Sequence, residues 1–334
     1  MAVLLTGGAG FIGSHTCVEL LGAGEEIIIY DNFSNSKKEV IDKIKEIAGK
    51  GVTCIEANIL DEAALRSVFA SHNIEAVVHF AGLKAVGESV AKPLDYYTTN
   101  VAGTLKLLRV MDAFDCRRIV FSSSATVYGE KNAIPYIEEM PTAAANPYGM
   151  TKLVVERVMQ DLYVSDNRWS IALLRYFNPI GANKSGLIGE DPEGIPNNLV
   201  PYIAQVAAGK LPRLGVFGDD YDTPDGTGVR DYIHVVDLAL GHLEALKFVR
   251  GRTCCEAINL GTGVGYSVLD VLRAYGGACG RELPYEIKAR RAGDIAEYYA
   301  NPSKAKRLLG WEAIRGLDEM CEDSWRFARG AYGV

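Results

Sequence analysis

A chain of 334 residues, 48% of them apolar, can bury a sizeable core and is long enough for two unequal lobes, a cofactor domain and a lid. A formal charge of −7 argues against nucleic-acid and anionic-membrane partners, and seven cysteines without a C-x-x-C pair point to free thiols in a reducing compartment, not to a disulfide or zinc framework. The apolar run Val3–Thr6 is too short for a signal peptide and no uninterrupted run would cross a bilayer, so a soluble cytoplasmic protein without a metal centre is expected.

From the N-terminus, short β-branched runs alternate with helical patterns: strand Val3–Thr6, a helix to Leu21, strand Glu26–Asp31, helix Val40–Ala48 and strand Val52–Ile55. This βαβαβ pattern predicts a parallel sheet, and strands so apolar must be covered on both faces. The pattern continues with strand Ala76–Phe80, a long helix from about Asp95 to Ala113, strand Arg118–Phe121, a helix carrying Tyr148 and Lys152, and strand Ser170–Arg175. Beyond Asn178, glycine and proline crowd a loop-rich segment, followed by a helix Asn198–Ala208. The expected fold is therefore α/β, a Rossmann-type doubly wound parallel sheet in residues 1–178 with a smaller C-terminal α/β substrate-binding lobe in 179–334. A strand-like run Arg230–Asp237, a helix through Leu246 and a short strand Ile258–Gly261 make the stretch from about 230 to 260 a candidate to return to the first lobe.

The turn Thr6-Gly7-Gly8-Ala9-Gly10-Phe11-Ile12-Gly13 joins the first strand to the first helix. Gly7, Gly10 and Gly13 lack the side chains that would keep backbone N–H groups from a pyrophosphate at the positive end of the helix. Asp31 ends the second strand, where a carboxylate accepts from ribose hydroxyls and repels a 2′-phosphate. Dinucleotide binding follows, with NAD preferred over NADP.

In Asn146-Pro147-Tyr148-Gly149-Met150-Thr151-Lys152, a tyrosine and a lysine stand at i and i+4 on one helix face. An ammonium beside a phenol favours phenolate and pulls a pKa of about 10 toward neutrality, which makes the tyrosine a usable general base. Such pairs also occur by chance on solvated helices, so the context decides.

That context is Thr6-Gly7-x-x-Gly10-x-x-Gly13, Ser122-Ser123-Ser124 ending a strand, and Tyr148-x-x-x-Lys152, a combination that resembles the extended short-chain dehydrogenase/reductase family. The likeness runs over nearly the whole chain, through His79–Ser89, Phe121–Gly129, Leu174–Pro179 and Gly228–His234. It implies an NAD-dependent isomerase that interconverts UDP-galactose and UDP-glucose by reversible oxidation at sugar C4. By the same resemblance Tyr148 is the base, Ser124 bonds the reacting hydroxyl and shuttles its proton, and Lys152 binds the nicotinamide ribose and lowers the tyrosine pKa. Cofactor contacts are implied for Phe11, Ile12, Asp31, Asn32, Ser36, Asn58, Ile59, Phe80, Ala81, Gly82, Lys84 and Phe177. Lys84, Ser124, Tyr148, Asn178, Asn198, Val216, Phe217, Arg230, Arg291, Asp294 and Tyr298 are implied for the UDP-sugar. The planar forks of two arginines suit a diphosphate, and a tyrosine at 298 would crowd an N-acetyl group at the sugar 2-position. Asn58 and Thr99 depart from the family pattern, which has Asp and Asn there.

The resemblance also implies a homodimer paired through the helix around Asn100–Met111 and the helix after Tyr148. Two other readings compete. A nucleotide-sugar 4,6-dehydratase would carry Asp-Glu after the strand-end hydroxyl, where this chain has Ala125-Thr126. A non-catalytic NAD-binding regulator would have no need of Ser124, Tyr148 and Lys152 together.

Overall fold

In the computed structural model, which describes residues 1–192, 194–291 and 294–334, β1 (Ala2–Thr6), α1 (Phe11–Gly22), β2 (Ile27–Asp31), α2 (Glu39–Ala48), β3 (Thr53–Glu56), α3 (Glu62–Ser71) and β4 (Ile74–His79) alternate along the chain. Every residue of β1 and β2 is buried, as strands covered on both faces require. Helix α3 was not anticipated from apolar spacing; its start is fixed by Asp61, whose carboxylate accepts from Ala64 N.

Next come α4 (Val86–Ala91), α5 (Pro93–Tyr96), a π-helical turn over Tyr97–Ala102, α6 (Gly103–Ala113), β5 (Arg118–Ser122), α7 (Pro147–Ser165) and β6 (Ser170–Tyr176). The long helix expected from Asp95 therefore opens at Pro93, where a missing N–H costs nothing, and is widened by the π turn before α6. The remainder is β7 (Asn178–Ile180), α8 (Leu199–Ala207), β8 (Leu214–Phe217), β9 (Val229–His234), α9 (Val235–Arg250), β10 (Cys254–Leu260), β11 (Gly265–Ser267), α10 (Val268–Cys279), β12 (Tyr285–Lys288), β13 (Glu297–Tyr298), α11 (Ser303–Leu309) and α12 (Leu317–Tyr332).

Seven parallel strands make one sheet in the order β10-β6-β5-β4-β1-β2-β3. Strand alternation sends Val3 and Leu5 into a core shared with α1, α2 and α9, and Leu4 into one shared with α3, α6 and α7. Each fully buried Leu or Ile stabilises by roughly 1.5–3 kcal/mol relative to exposure. The strand order reverses between β1 and β4, where a doubly wound sheet opens a crevice at its carboxyl edge.

Strand β9 pairs with β7, β11 and β13, and β8 pairs with β12. A separate core under them is packed by α8, α10 and α12. A further cluster gathers Tyr128, Tyr136 and Phe177, with Tyr298 against it. Among the described residues no helix is long and apolar enough to cross a membrane.

Candidate active site

The glycine loop at the end of β1 is close packed. Gly7 has φ +73°, and a Cβ there would stand 2.7 Å from Ala81 N. A Cβ on Gly13 would stand 2.3 Å from Gly7 O, so only glycine lets α1 start this close to β1. Gly10 caps α1 without a side chain, and no acidic residue occupies its first turn, which leaves the positive helix end open to an anion. Phe11 and Ile12 form that turn.

Asp31 is buried and already engaged. Its Oδ2 accepts from Ala9 N at 2.9 Å, and its Oδ1 from Phe33 N at 2.8 Å and Ser36 Oγ at 3.2 Å. Three bonds leave about one of its four lone-pair directions for a ribose hydroxyl. The carboxylate thus ties the glycine loop to the 31–36 turn, and Asn32 makes a further turn by accepting from Ser34 N. Asn58 likewise turns its own loop through Leu60 N, while Ile59 points into the core beneath Gly103. A glycine cradle, an open helix end and a partly satisfied carboxylate together fit a dinucleotide.

The end of β4 packs directly beside the loop. Asn100, in the π turn, accepts from Leu83 N at 2.7 Å and donates to Leu83 O at 3.0 Å, which fixes the Phe80-Ala81-Gly82-Leu83-Lys84 stretch. Gly82 admits that side chain, since a Cβ there would stand 3.0 Å from Asn100 Oδ1. Asn100 also donates to Thr151 Oγ1 on α7 at 3.0 Å, so cofactor wall and tyrosine helix are joined by one amide. The sequence reading passed over Asn100; its position inside an apolar helix pattern was the available signal.

Helix α7 begins where the sequence dictates. Asn146 accepts from Gly149 N at 2.8 Å and Pro147 takes the first helical position, which sets Tyr148 in the first turn and Lys152 one turn on. The Lys152 ammonium, 6% exposed, donates to Ser122 O at 2.7 Å and lies 5.9 Å from the centroid of the Tyr148 ring. Ser124 Oγ accepts from Thr126 N at 3.2 Å and from Thr126 Oγ1 at 3.0 Å. Two donors on its oxygen leave the Ser124 hydroxyl proton free to point toward Tyr148, whose pKa it lowers.

The phenol pKa runs opposite to the sequence expectation. Burial pushes Tyr148 up to about 12, outweighing the lowering by the Ser124 hydrogen bond. Burial likewise lowers Lys152 to about 8, opposed by the Glu156 carboxylate. Lysine and tyrosine share a face, but the ammonium is spent on a carbonyl, and desolvation dominates the chain's own field.

On the substrate side, Tyr298 donates to Asn178 Oδ1 at 3.0 Å and stacks on Tyr136 with centroids 6.2 Å apart. The Arg230 guanidinium lies 4.8 Å over the Tyr298 ring and reaches Asp294 at 4.0 Å. Arg291 lies 3.8 Å over Phe217. Arg290, by contrast, is drawn to Asp220 at 2.7 Å. Phe177 packs on Tyr298 at 5.8 Å. Val216 is buried in the second core, so only its main chain is available to a nucleotide.

Lys84 and Asn198, far apart in the chain, meet on one carboxylate: both donate to Glu190 Oε1 at 2.9 Å. Glu190 was not among the expected residues, because a lone acid in a glycine-rich loop carries no pattern.

A family model described as GDP-mannose 4,6 dehydratase matches residues 4–324. The UDP-glucose 4-epimerase of Bacillus subtilis (strain 168) is 61% identical over 327 residues, 98% of this chain and 96% of that protein. The chain belongs to this family, among its UDP-glucose 4-epimerases. A solved UDP-glucose 4-epimerase from Bifidobacterium longum, in complex with NAD+ and UDP, superposes with a TM-score of 0.96 at 52% identity, covering 100% of both chains. Another 4-epimerase, from Stenotrophomonas maltophila with bound NAD and formylated UDP-arabinopyranose, gives 0.97 at 49% identity, covering 99% of this chain and 98% of that one. The seven-stranded parallel sheet is the Rossmann-like core of these 4-epimerases.

Proposed function

We propose that the chain interconverts UDP-galactose and UDP-glucose as an NAD-dependent isomerase in galactose metabolism. The observation that carries this reading is the meeting of Ser124, Tyr148 and Lys152 at the end of β5, beside a glycine cradle that fits a dinucleotide.

NAD, the cofactor of this reaction, supplies a reversible hydride acceptor and a positive charge that favours phenolate. Gly7, Gly10, Phe11, Ile12 and Gly13 would hold its pyrophosphate, Asp31 its ribose, and Phe80–Lys84 with Phe177 its remaining edge. Tyr148, as phenolate, takes the 4-hydroxyl proton directly or through Ser124 as the C4 hydride leaves. Lys152 keeps a positive charge behind the tyrosine. The 4-keto sugar turns over, and Tyr148 returns the proton as hydride comes back to the opposite face.

Turning requires a firm hold on UDP and a loose hold on the sugar. Arg230 and Arg291 supply the first as guanidinium forks against the diphosphate, with Asn178, Asn198, Lys84 and the main chain at Val216-Phe217 beside them. Both arginines rest on aromatic faces, which fixes their planes. The sugar is bounded by Tyr298, a wall without charge that leaves the ring free to turn.

The dehydratase reading gains no support: Ala125 is buried, Thr126 is bonded to Ser124, and neither offers a carboxylate for elimination. Residues 1–178, with α9 and β10 on the same sheet, form the cofactor domain in this reading, and the rest of 179–334 the UDP-sugar lobe. The chain acts as a cytoplasmic homodimer. Exposed Val90, Leu94, Tyr97 and Leu105, on α4 to α6, supply an apolar face for a second copy. Purified protein incubated with UDP-galactose and no added reductant tests the activity: UDP-glucose should accumulate to equilibrium, and its absence from NAD-loaded protein would overturn it.

A further inference from the structure

Behind the reacting groups lies a buried ion pair that the reaction does not touch. Glu156, on α7 one turn beyond Lys152, is 1% exposed, and Arg175, on β6, is 4% exposed. Arg175 Nε donates to Glu156 Oε1 at 3.0 Å and Nη2 to Oε2 at 2.6 Å, a two-point clamp. The same carboxylate accepts from Ser123 Oγ at 2.5 Å. The guanidinium also lies 4.8 Å over Tyr128 and donates to Glu138 O at 3.2 Å, so its plane is set from both sides.

The residue that Glu156 grips is central to the strand end. Ser122 receives the Lys152 ammonium on its carbonyl and bonds Tyr176 through its hydroxyl. Ser124, on the other side of Ser123, lies near enough to Tyr148 to lower its pKa. Burying two charges is costly, and a pair so buried is weak support for stability in itself. Here it joins three elements, α7, β5 and β6, at the one place where the reacting side chains converge.

We propose that Glu156, clamped by Arg175, is a positioning residue for the epimerisation: it holds Ser123 so that Ser122 and Ser124 meet Lys152 and Tyr148, and it sets a buried carboxylate one turn beyond Lys152 on α7. The inference rests on the catalytic reading of Ser124, Tyr148 and Lys152. The groups facing Lys152 are Tyr148 and Glu156 from α7, neutral His79 from β4, and the Phe121 ring and the Ser122 carbonyl from β5, with Arg175 of β6 held on Glu156. Only Glu156 among them is an anion. Burial drives Lys152 toward the neutral amine, and Glu156 opposes it. Removing that charge alone leaves the Arg175 cation uncompensated in the same low-dielectric region, so both effects act in one direction.

The test uses NAD-loaded enzyme and the pH profile of kcat for UDP-galactose. Glu156→Gln keeps the size and the bond from Ser123 but loses the charge; the alkaline limb should move down by about one pH unit, with KM little changed. Ser123→Ala, a milder change should the glutamine variant not fold, keeps the ion pair and loses the bond; kcat should fall about tenfold with the limb unmoved. A folded Glu156→Gln enzyme with a wild-type limb, or a Ser123→Ala enzyme with wild-type kcat, overturns the proposal. Lys152→Met separates the two levels: if it still turns over, the catalytic reading has failed, and if it is inactive while Glu156→Gln is unshifted, this inference alone has failed.

Discussion

The Lys152 ammonium is 2.7 Å from the carbonyl oxygen of Ser122 and 5.9 Å from the ring centroid of Tyr148. The lysine therefore acts on the tyrosine through space and through a shared strand end, and not by a hydrogen bond to the phenol. Tyr148→Phe removes the proposed base. It should lower kcat about 10²–10⁴-fold while the protein still purifies with NAD, measured by cofactor released on denaturation. Full turnover in this variant would show that another group is the base.

Tyr298 is held in place from three sides, by Asn178, Tyr136 and Arg230. A ring so fixed cannot step aside for a bulky 2-substituent. UDP-N-acetylglucosamine should be turned over at least about tenfold less efficiently than UDP-galactose, judged by kcat/KM, and Tyr298→Ala should narrow that gap. Comparable efficiency in the wild-type chain would contradict the assignment of Tyr298 to the sugar wall.

The buried histidines, His234 among them, make stability depend on acid. Burial lowers His15 to about 4, His79 to about 3 and His242 to about 4, from 6.5 in the unfolded chain. Each is neutral in the native state and binds a proton on unfolding below pH 6.5, so stability is lost as pH falls from 6.5 toward 4. For His242 the loss by pH 4 is on the order of 3 kcal/mol. Its Nδ1 donates to Leu238 O and its Nε2 is buried without a partner, so a second proton there has nothing to meet. His242→Phe fits the neighbouring Phe80 and Tyr176 rings and should flatten the fall of the urea midpoint between pH 6.5 and 4. An unchanged slope would refute the sign.

Gly13→Ala places a Cβ 2.3 Å from Gly7 O and 2.8 Å from Gly8 Cα, both backbone atoms. Backbone must shift, at about 1–3 kcal/mol, and the loop that cradles the pyrophosphate shifts with it. The variant should keep its far-ultraviolet circular dichroism and lose bound NAD on gel filtration. NAD retained at the wild-type level would mean that the loop is not the phosphate site.

The parallel sheet was legible because its strands are continuous apolar runs separated by helical spacing, and the start of α7 because Asn146-Pro147 is a strong local signal. The second lobe was less so. Strands β8 and β12 pair over four residues each, mostly from opposite ends of the lobe, and short partly exposed strands leave no periodicity to read. Within the site, Tyr148, Lys152 and the glycines stood out by spacing, whereas Asn100, Glu156 and Glu190 act through contacts between residues far apart in the chain. The phenol pKa was misjudged for the same reason. Two residues at i and i+4 reveal a charge nearby, but not how much water the rest of the fold excludes.

The most direct test of the account follows the hydrogen on C4. UDP-galactose deuterated at C4, incubated with NAD-loaded enzyme in ordinary water, should give UDP-glucose that keeps the deuterium on C4, because the hydride leaves and returns within one closed site. Wash-out of the label to solvent, or interconversion that requires added NAD at every turnover, would contradict it.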